Sequence, residues 1–178
     1  MLFRRLVPVV IAGLTLGAAC APAPSGAPAA APATDPPAGV AAPAEAGLAP
    51  WAADMLSQVN AQRSANGAAP LAPCAALARA AQSHTEDQAA HHTMTHTGSD
   101  GSNISVRAAR VGYTGWSGLA ENVAMGYPSV TAVMTGWMNS AGHRANLLNA
   151  AYNHIGLGLA YDGATPYWTQ DFGANGAC

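Results

Sequence analysis

Three short stretches place imidazole and carboxylate groups among small, turn-forming residues: Thr95-His96-Thr97-Gly98-Ser99-Asp100-Gly101-Ser102, Ala120-Glu121-Asn122-Val123-Ala124 and Trp137-Met138-Asn139-Ser140-Ala141-Gly142-His143-Arg144. They supply His96, Glu121 and His143, and all six histidines fall between His84 and His154. Brought together, such groups can bind a metal, polarise a water or hold a polar ligand. Two imidazoles can carry a zinc ion with water completing its shell. Structural zinc takes four protein ligands and catalytic zinc usually three, so His96 and His143 make zinc an optional visitor and no obligatory cofactor. Glu121 is the candidate general base if the chain is an enzyme. The third use is a hydrogen-bonded polar cluster that orders a binding surface and reacts with nothing.

Other residues invite chemistry and are better explained otherwise. Ser140 stands three residues before His143, but no acidic orienter is recognisable and no Gly-x-Ser-x-Gly elbow is present, so a polar cap or a hydroxyl lining a ligand site is expected. His92 and His96 have metal-ligand spacing without the Glu of a His-Glu-x-x-His helix. His91 and His92 suit a helix C-terminus, and His84 suits the buried side of its helix. Ser99 to Asn103 lacks the distal Glu of a calcium loop and is read as a turn capping the next helix. The sequon Asn103-Ile104-Ser105 is uninformative beside a bacterial export signal. His154 leads a strand and is a further candidate for lining the site.

The elements that must position these groups are helical first and extended last. Trp51, Met55, Val59 and Gln62-Arg63 recur at helical spacing up to the stop at Asn66-Gly67. A second helix runs from Cys74 to about His92, and a short one ends near Val111-Gly112. Ser129 caps a further helix with Val130, Val133, Met134 and Trp137 as its apolar stripe. Ile155 to Leu159 and Tyr167 to Phe172 alternate about the turn Asp162-Gly163, which reads as a β-hairpin. The glycines of the first of these strands call for something large packed across it, with Trp137 or Trp168 the candidates. Helices followed by strands give an α+β domain over an antiparallel sheet.

The ends bound the domain. Residues 1–20 read as a signal peptide, with Arg4-Arg5, the apolar run Leu6 to Leu16, and small residues before Cys20. The apolar run is shorter than the ~20 residues that span a bilayer. Leu16-Gly17-Ala18-Ala19-Cys20 resembles a lipobox in which Gly17 stands where Leu is usual, and Cys20 is the candidate lipidation site; cleavage after an alanine of Ala21-Pro22-Ala23 is the alternative. Residues 21–50, mostly Ala and Pro with some Gly, form a disordered, extended tether, and the folded domain is 51–178. Lipidation of Cys20 leaves Cys74 and Cys178 for one disulfide in an oxidising compartment, against the alternative of a free buried Cys74. Beyond residue 20, five arginines and no lysine face nine carboxylates, a formal charge of −4. That balance speaks against nucleic acid, and leaves the membrane reachable only through an anchor at Cys20. The chain is expected to be extracytoplasmic, as an anchored lipoprotein or secreted.

The run His96 to Ser102, Arg107, Gly112-Tyr113 and Glu121-Asn122-Val123-Ala124 resembles the bacterial branch of the CAP superfamily, also called the SCP domain. Trp137-Met138-Asn139-Ser140, Gly142-His143-Arg144, Asn146-Leu147-Leu148, Ile155-Gly156-Leu157-Gly158 and Trp168 to Gly173 extend the likeness over about 51–173. The resemblance implies an α-β-α sandwich with a large cleft that usually carries two His and two Glu, some members binding zinc through the histidines. His96, Glu121 and His143 match three of these positions, and Ser140 stands where the second Glu is usual. The departure weakens any two-carboxylate mechanism. The resemblance leaves the ligand open among a small molecule, a lipid and an envelope component, held by His96, Glu121, Ser140 and His143. Its alternatives are a zinc-dependent hydrolase and a surface interaction protein with a vestigial cleft.

Overall fold

Pro50 opens the first helix of the computed structural model, which describes residues 47–178. The expected signal peptide, nearly all of the expected Ala/Pro tether and Cys20 lie outside the described residues. A proline in the first turn forgoes only an amide that no helical carbonyl could accept. Helix α1 covers Pro50–Ala65, and Leu48 just before it already packs on the core. The two-residue strand β1 (Ala72–Pro73) leads into α2 (Ala75–Ala90) and then α3 (Ile104–Arg110). Strand β2 (Gly118–Met125), α4 (Val130–Asn139), α5 (Ala141–Leu148) and the hairpin β3 (His154–Asp162) and β4 (Thr165–Ala174) complete the domain. Asn103 caps α3 through the Val106 amide, and Ser129 caps α4 through that of Ala132.

The sheet order is β1-β3-β4-β2. Its three long strands are antiparallel: β3 and β4 form the hairpin that the alternating pattern predicts, and β2, which that pattern does not predict, pairs with β4; β1 joins β3 in parallel, so the whole sheet is mixed. Helices α1, α4 and α5 bury one face with Met55, Val59, Trp137 and Leu147 against Ile155, Leu157, Trp168 and Phe172. Helix α2 lies on the other face, with α3 beside it. Among the described residues no helix is long and apolar enough to cross a membrane.

What fills the space over the glycines of β3 is not a tryptophan. A Cβ at Gly156 would lie 2.1 Å from the Leu77 carbonyl carbon, and one at Gly158 would lie 2.5 Å from the Ala81 carbonyl oxygen. Helix α2 therefore rests its own backbone on the strand, a contact closer than any side chain on β3 permits. Trp168 faces the opposite layer, edge-on to Trp51. At the hairpin tip Gly163 takes a φ of +56°, which supplies the left-handed turn between Asp162 and Thr165.

Two connections lock the layers. Cys74, at the N-terminus of α2, is disulfide-bonded to Cys178, 104 residues away. Buried Arg63 donates to the carbonyls of Ala69, Leu147, Asn149 and Tyr152. The guanidinium thus serves the orphan carbonyls at the end of α5, where a cation also suits the helix dipole.

Candidate polar site at the sheet edge

Glu121 lies on β2, the edge strand, and its side chain is buried with 3 % of its surface exposed. Its Oε2 accepts from Arg107 Nη2 at 2.5 Å, and its Oε1 accepts from His96 Nδ1 at 2.8 Å. Arg107 reaches the site from α3 and uses Nη1 on the carbonyls of His96 and Ser102, pinning the loop that carries His96. The His96 ring itself is 61 % exposed. One face of that imidazole is therefore fixed by a buried carboxylate while Nε2 is left for solvent or ligand, the arrangement in which an outer carboxylate orients a histidine.

His143 arrives from α5 on the opposite side of the sheet. Asn122 Nδ2 donates to its backbone carbonyl, and Asn146 Nδ2 donates to the Glu121 carbonyl and to Asn122 Oδ1. These bonds fasten α5 along the edge of β2 and cover polar backbone that an edge strand leaves unpaired. Burial pushes the His143 imidazole below its ordinary pKa, and the nearby His96 pushes it the same way. His96 and Glu121 are thus bonded side chain to side chain, and α5 brings His143 to the same strand edge through its backbone, near enough for the two imidazoles to sense one another. Ser140 begins α5, half-buried, and makes no side-chain capping bond.

Behind this edge lies a polar layer of which the sequence pattern points only to His84. His84 is buried on α2, its Nε2 donating to the Thr95 carbonyl, while Nδ1 has no partner. Desolvation lowers its pKa, with the Glu121 charge opposing. Gln88 donates to Thr169 Oγ1, and Asp171, fully buried on β4, pairs in register with Glu121. Arg107 stood inside a recognised motif without a role. The signal for Asp171 was an acid inside a strand whose remaining residues suit burial. His92 sits exposed in the left-handed region and bonds Asp162, and His91 bonds the Asp87 carbonyl, so neither faces the site. His154 is occupied by the Tyr113 hydroxyl. Among the described residues no three His, Cys, Asp or Glu side chains form a metal-sized cluster. A metal at the edge would rest on His96 and His143, with Glu121 as the outer partner.

Comparison with known proteins agrees with this architecture. The cysteine-rich secretory protein family, CAP, matches residues 56–172, a span that includes every residue of the edge site. The uncharacterized membrane protein YlbC of Bacillus subtilis is 31 % identical over 118 residues, 66 % of this chain but 33 % of YlbC. An extracellular SCP-domain protein from Bacillus anthracis superposes with a TM-score of 0.63 at 29 % identity, over 68 % of this chain and 39 % of that one. An outer surface protein from Borrelia burgdorferi shares the fold, with a TM-score of 0.61 at 20 % identity over 68 % of this chain and 90 % of its own. The chain thus spans only about a third of YlbC and under half of the anthracis protein. Over the part they share, the ordered motifs, the helix-clad mixed sheet and the family match agree that this chain belongs to the CAP family.

Proposed function

We propose that the chain is an exported CAP domain that binds a small polar molecule, a lipid headgroup or an envelope component at the edge formed by His96, Glu121 and His143. The observation that carries this reading is the mounting of His96. Its Nδ1 is held by a carboxylate that is itself fixed by buried Arg107, while the rest of the ring is open. Such preorganisation lowers the ordering cost of binding. Glu121, shielded and bonded at both oxygens, suits a supporting role better than that of a base meeting substrate. The description of the anthracis relative as extracellular and of the Borrelia one as an outer surface protein supports export. Anchoring through Cys20 is part of the same proposal.

Native mass spectrometry of the full chain, purified after export, tests the reading. A retained small-molecule mass is expected on the wild type and absent from His96→Ala/His143→Ala. A ligand kept equally by both would place binding elsewhere, and a wild type that carries none would count against the reading.

The Glu121–His96 bond favours one second reading, zinc held by His96 Nε2 and His143 with water activated beside it. Calorimetric titration of zinc into the metal-stripped full chain checks it. Binding lost in the double variant supports this reading, and equal binding by both proteins removes it.

A further inference from the structure

Asp171 has no exposed surface, no donor reaches either of its carboxyl oxygens, and the Glu121 carboxylate lies within hydrogen-bonding reach of it. Its neighbour across β2 is Glu121 and across β3 is Gly156. Directly opposed residues project from the same face, with Cβ atoms about 4.5–5.5 Å apart. The α2 backbone closes over Gly156, so Asp171 is roofed by that helix and sealed from water.

The charged groups acting on it are Glu121 on β2 and Arg107 on α3, and His84 on α2 stands 3.9 Å from Glu121. Arg107 directs Nη1 to two carbonyls and Nη2 to Glu121. His84 Nε2 turns to Thr95. Two ionised carboxylates here would set acceptor against acceptor, with one guanidinium between them, in a dry interior. Burying a charge without partners costs far more than burying a neutral acid. A carboxylic acid, unlike a carboxylate, brings its own donor.

We propose that Asp171 is a neutral carboxylic acid whose O–H donates to Glu121, and that it is thereby a positioning residue for the carboxylate on which His96 is mounted. Burial, and after it the Glu121 charge, push the Asp171 carboxyl well above the ordinary range, with Arg107 only partly opposing. Glu121 then accepts from three directions, Asp171, Arg107 and His96, and is held against rotation. His96 stays bonded to Glu121 through Nδ1, and its Nε2 faces outward. On the binding reading above, that outward nitrogen is the atom that meets the ligand or a metal. The proton on Asp171 does not depend on that reading.

Infrared spectroscopy of the metal-free full chain at pH 7 is the first test. The carbonyl band of a protonated carboxylic acid is expected in the wild type, moved by 13C labelling of aspartate carboxyls and absent from Asp171→Asn. The labelling assigns the band to an aspartate even if the variant fails to fold, and Asp171 is the one buried aspartate among the described residues. Lack of the band, or a band that labelling leaves in place, overturns the proposal.

The second test is the pH dependence of stability. Folding of the wild type takes up a proton above about pH 4, where the unfolded aspartate ionises, and folding of Asp171→Asn does not. The folding constant of the variant relative to the wild type is therefore expected to rise with pH, by up to about tenfold per unit. A flat or falling ratio overturns it.

The positioning role has its own readout in the His96 ring-nitrogen shifts. The Nδ1–H tautomer is expected to persist in Asp171→Asn, whose amide still donates, and to be lost in Asp171→Leu. Equal tautomers in both variants would remove the positioning role. Failure to find a ligand would leave all three measurements standing, so the two proposals fail separately.

Discussion

His143 is depressed by burial and then by the neighbouring imidazole, and the two causes can be separated. In His96→Ala the like-charge repulsion disappears, so the His143 titration should move up while staying below the ordinary value of about 6.5. NMR titration of the ring carbons reads this directly, and an unmoved midpoint would mean that the rings do not sense one another. The sign for stability follows. Because folding lowers this pKa, the unfolded chain takes up the proton first; the contribution of His143 is complete above about pH 6.5 and lost as pH falls through the lowered value. Glu121 is the more costly position. Changing Glu121→Gln leaves the buried Arg107 guanidinium without its counter-charge, and breaking a buried pair from one side costs about 3–5 kcal/mol. Urea unfolding at neutral pH should show that loss, and a change below about 1 kcal/mol would mean the pair contributes little net stability.

At the scale of elements, the seating of α2 on β3 is the contact most sensitive to volume. A methyl at Gly156 would meet helix backbone, which cannot rotate aside, so Gly156→Ala should destabilise by about 3 kcal/mol or more. Gly142 on α5 has open space and a helical setting, so Gly142→Ala should be neutral or stabilising by up to about 1 kcal/mol. Thermal melts of the two variants side by side check the contrast. The same contact explains what could be read from the chain in advance. Glycine alternation from Gly156 to Gly158 announced a close approach, but one strand cannot say whether a ring or a helix backbone makes it. Periodicity found α1, α2, α4 and the hairpin, because each buries a regular face. It passed over α5, which buries only Leu147, β1, which is two residues long, and β2, the edge strand that carries Glu121. His96, Glu121 and His143 were legible because rare polar residues stand among small ones. Arg107 and Asp171 gain their meaning only from cross-strand register and helix docking, which no local pattern encodes.

For the molecule as a whole, the disulfide and the edge site should be energetically separable. Cys74–Cys178 spans 104 residues, and closing a loop of about that length in the unfolded chain is worth about 4–5 kcal/mol before any native strain is subtracted. Small domains hold only about 5–15 kcal/mol in total, so Cys74→Ser/Cys178→Ser should lower the urea midpoint markedly. The site should nevertheless survive in the fraction that stays folded. The bridge grips the N-terminus of α2, whereas His84 and Gln88 lie further along a helix already seated on Gly156 and Gly158. Arg107 and Asn146 fasten the remaining parts to β2 without passing through either cysteine. His143 titration in the double serine variant without urea decides the point. A midpoint matching the wild type means the bridge acts on the unfolded chain. A return toward the ordinary histidine value would instead mean that the disulfide holds α2, and through it the edge site, in place.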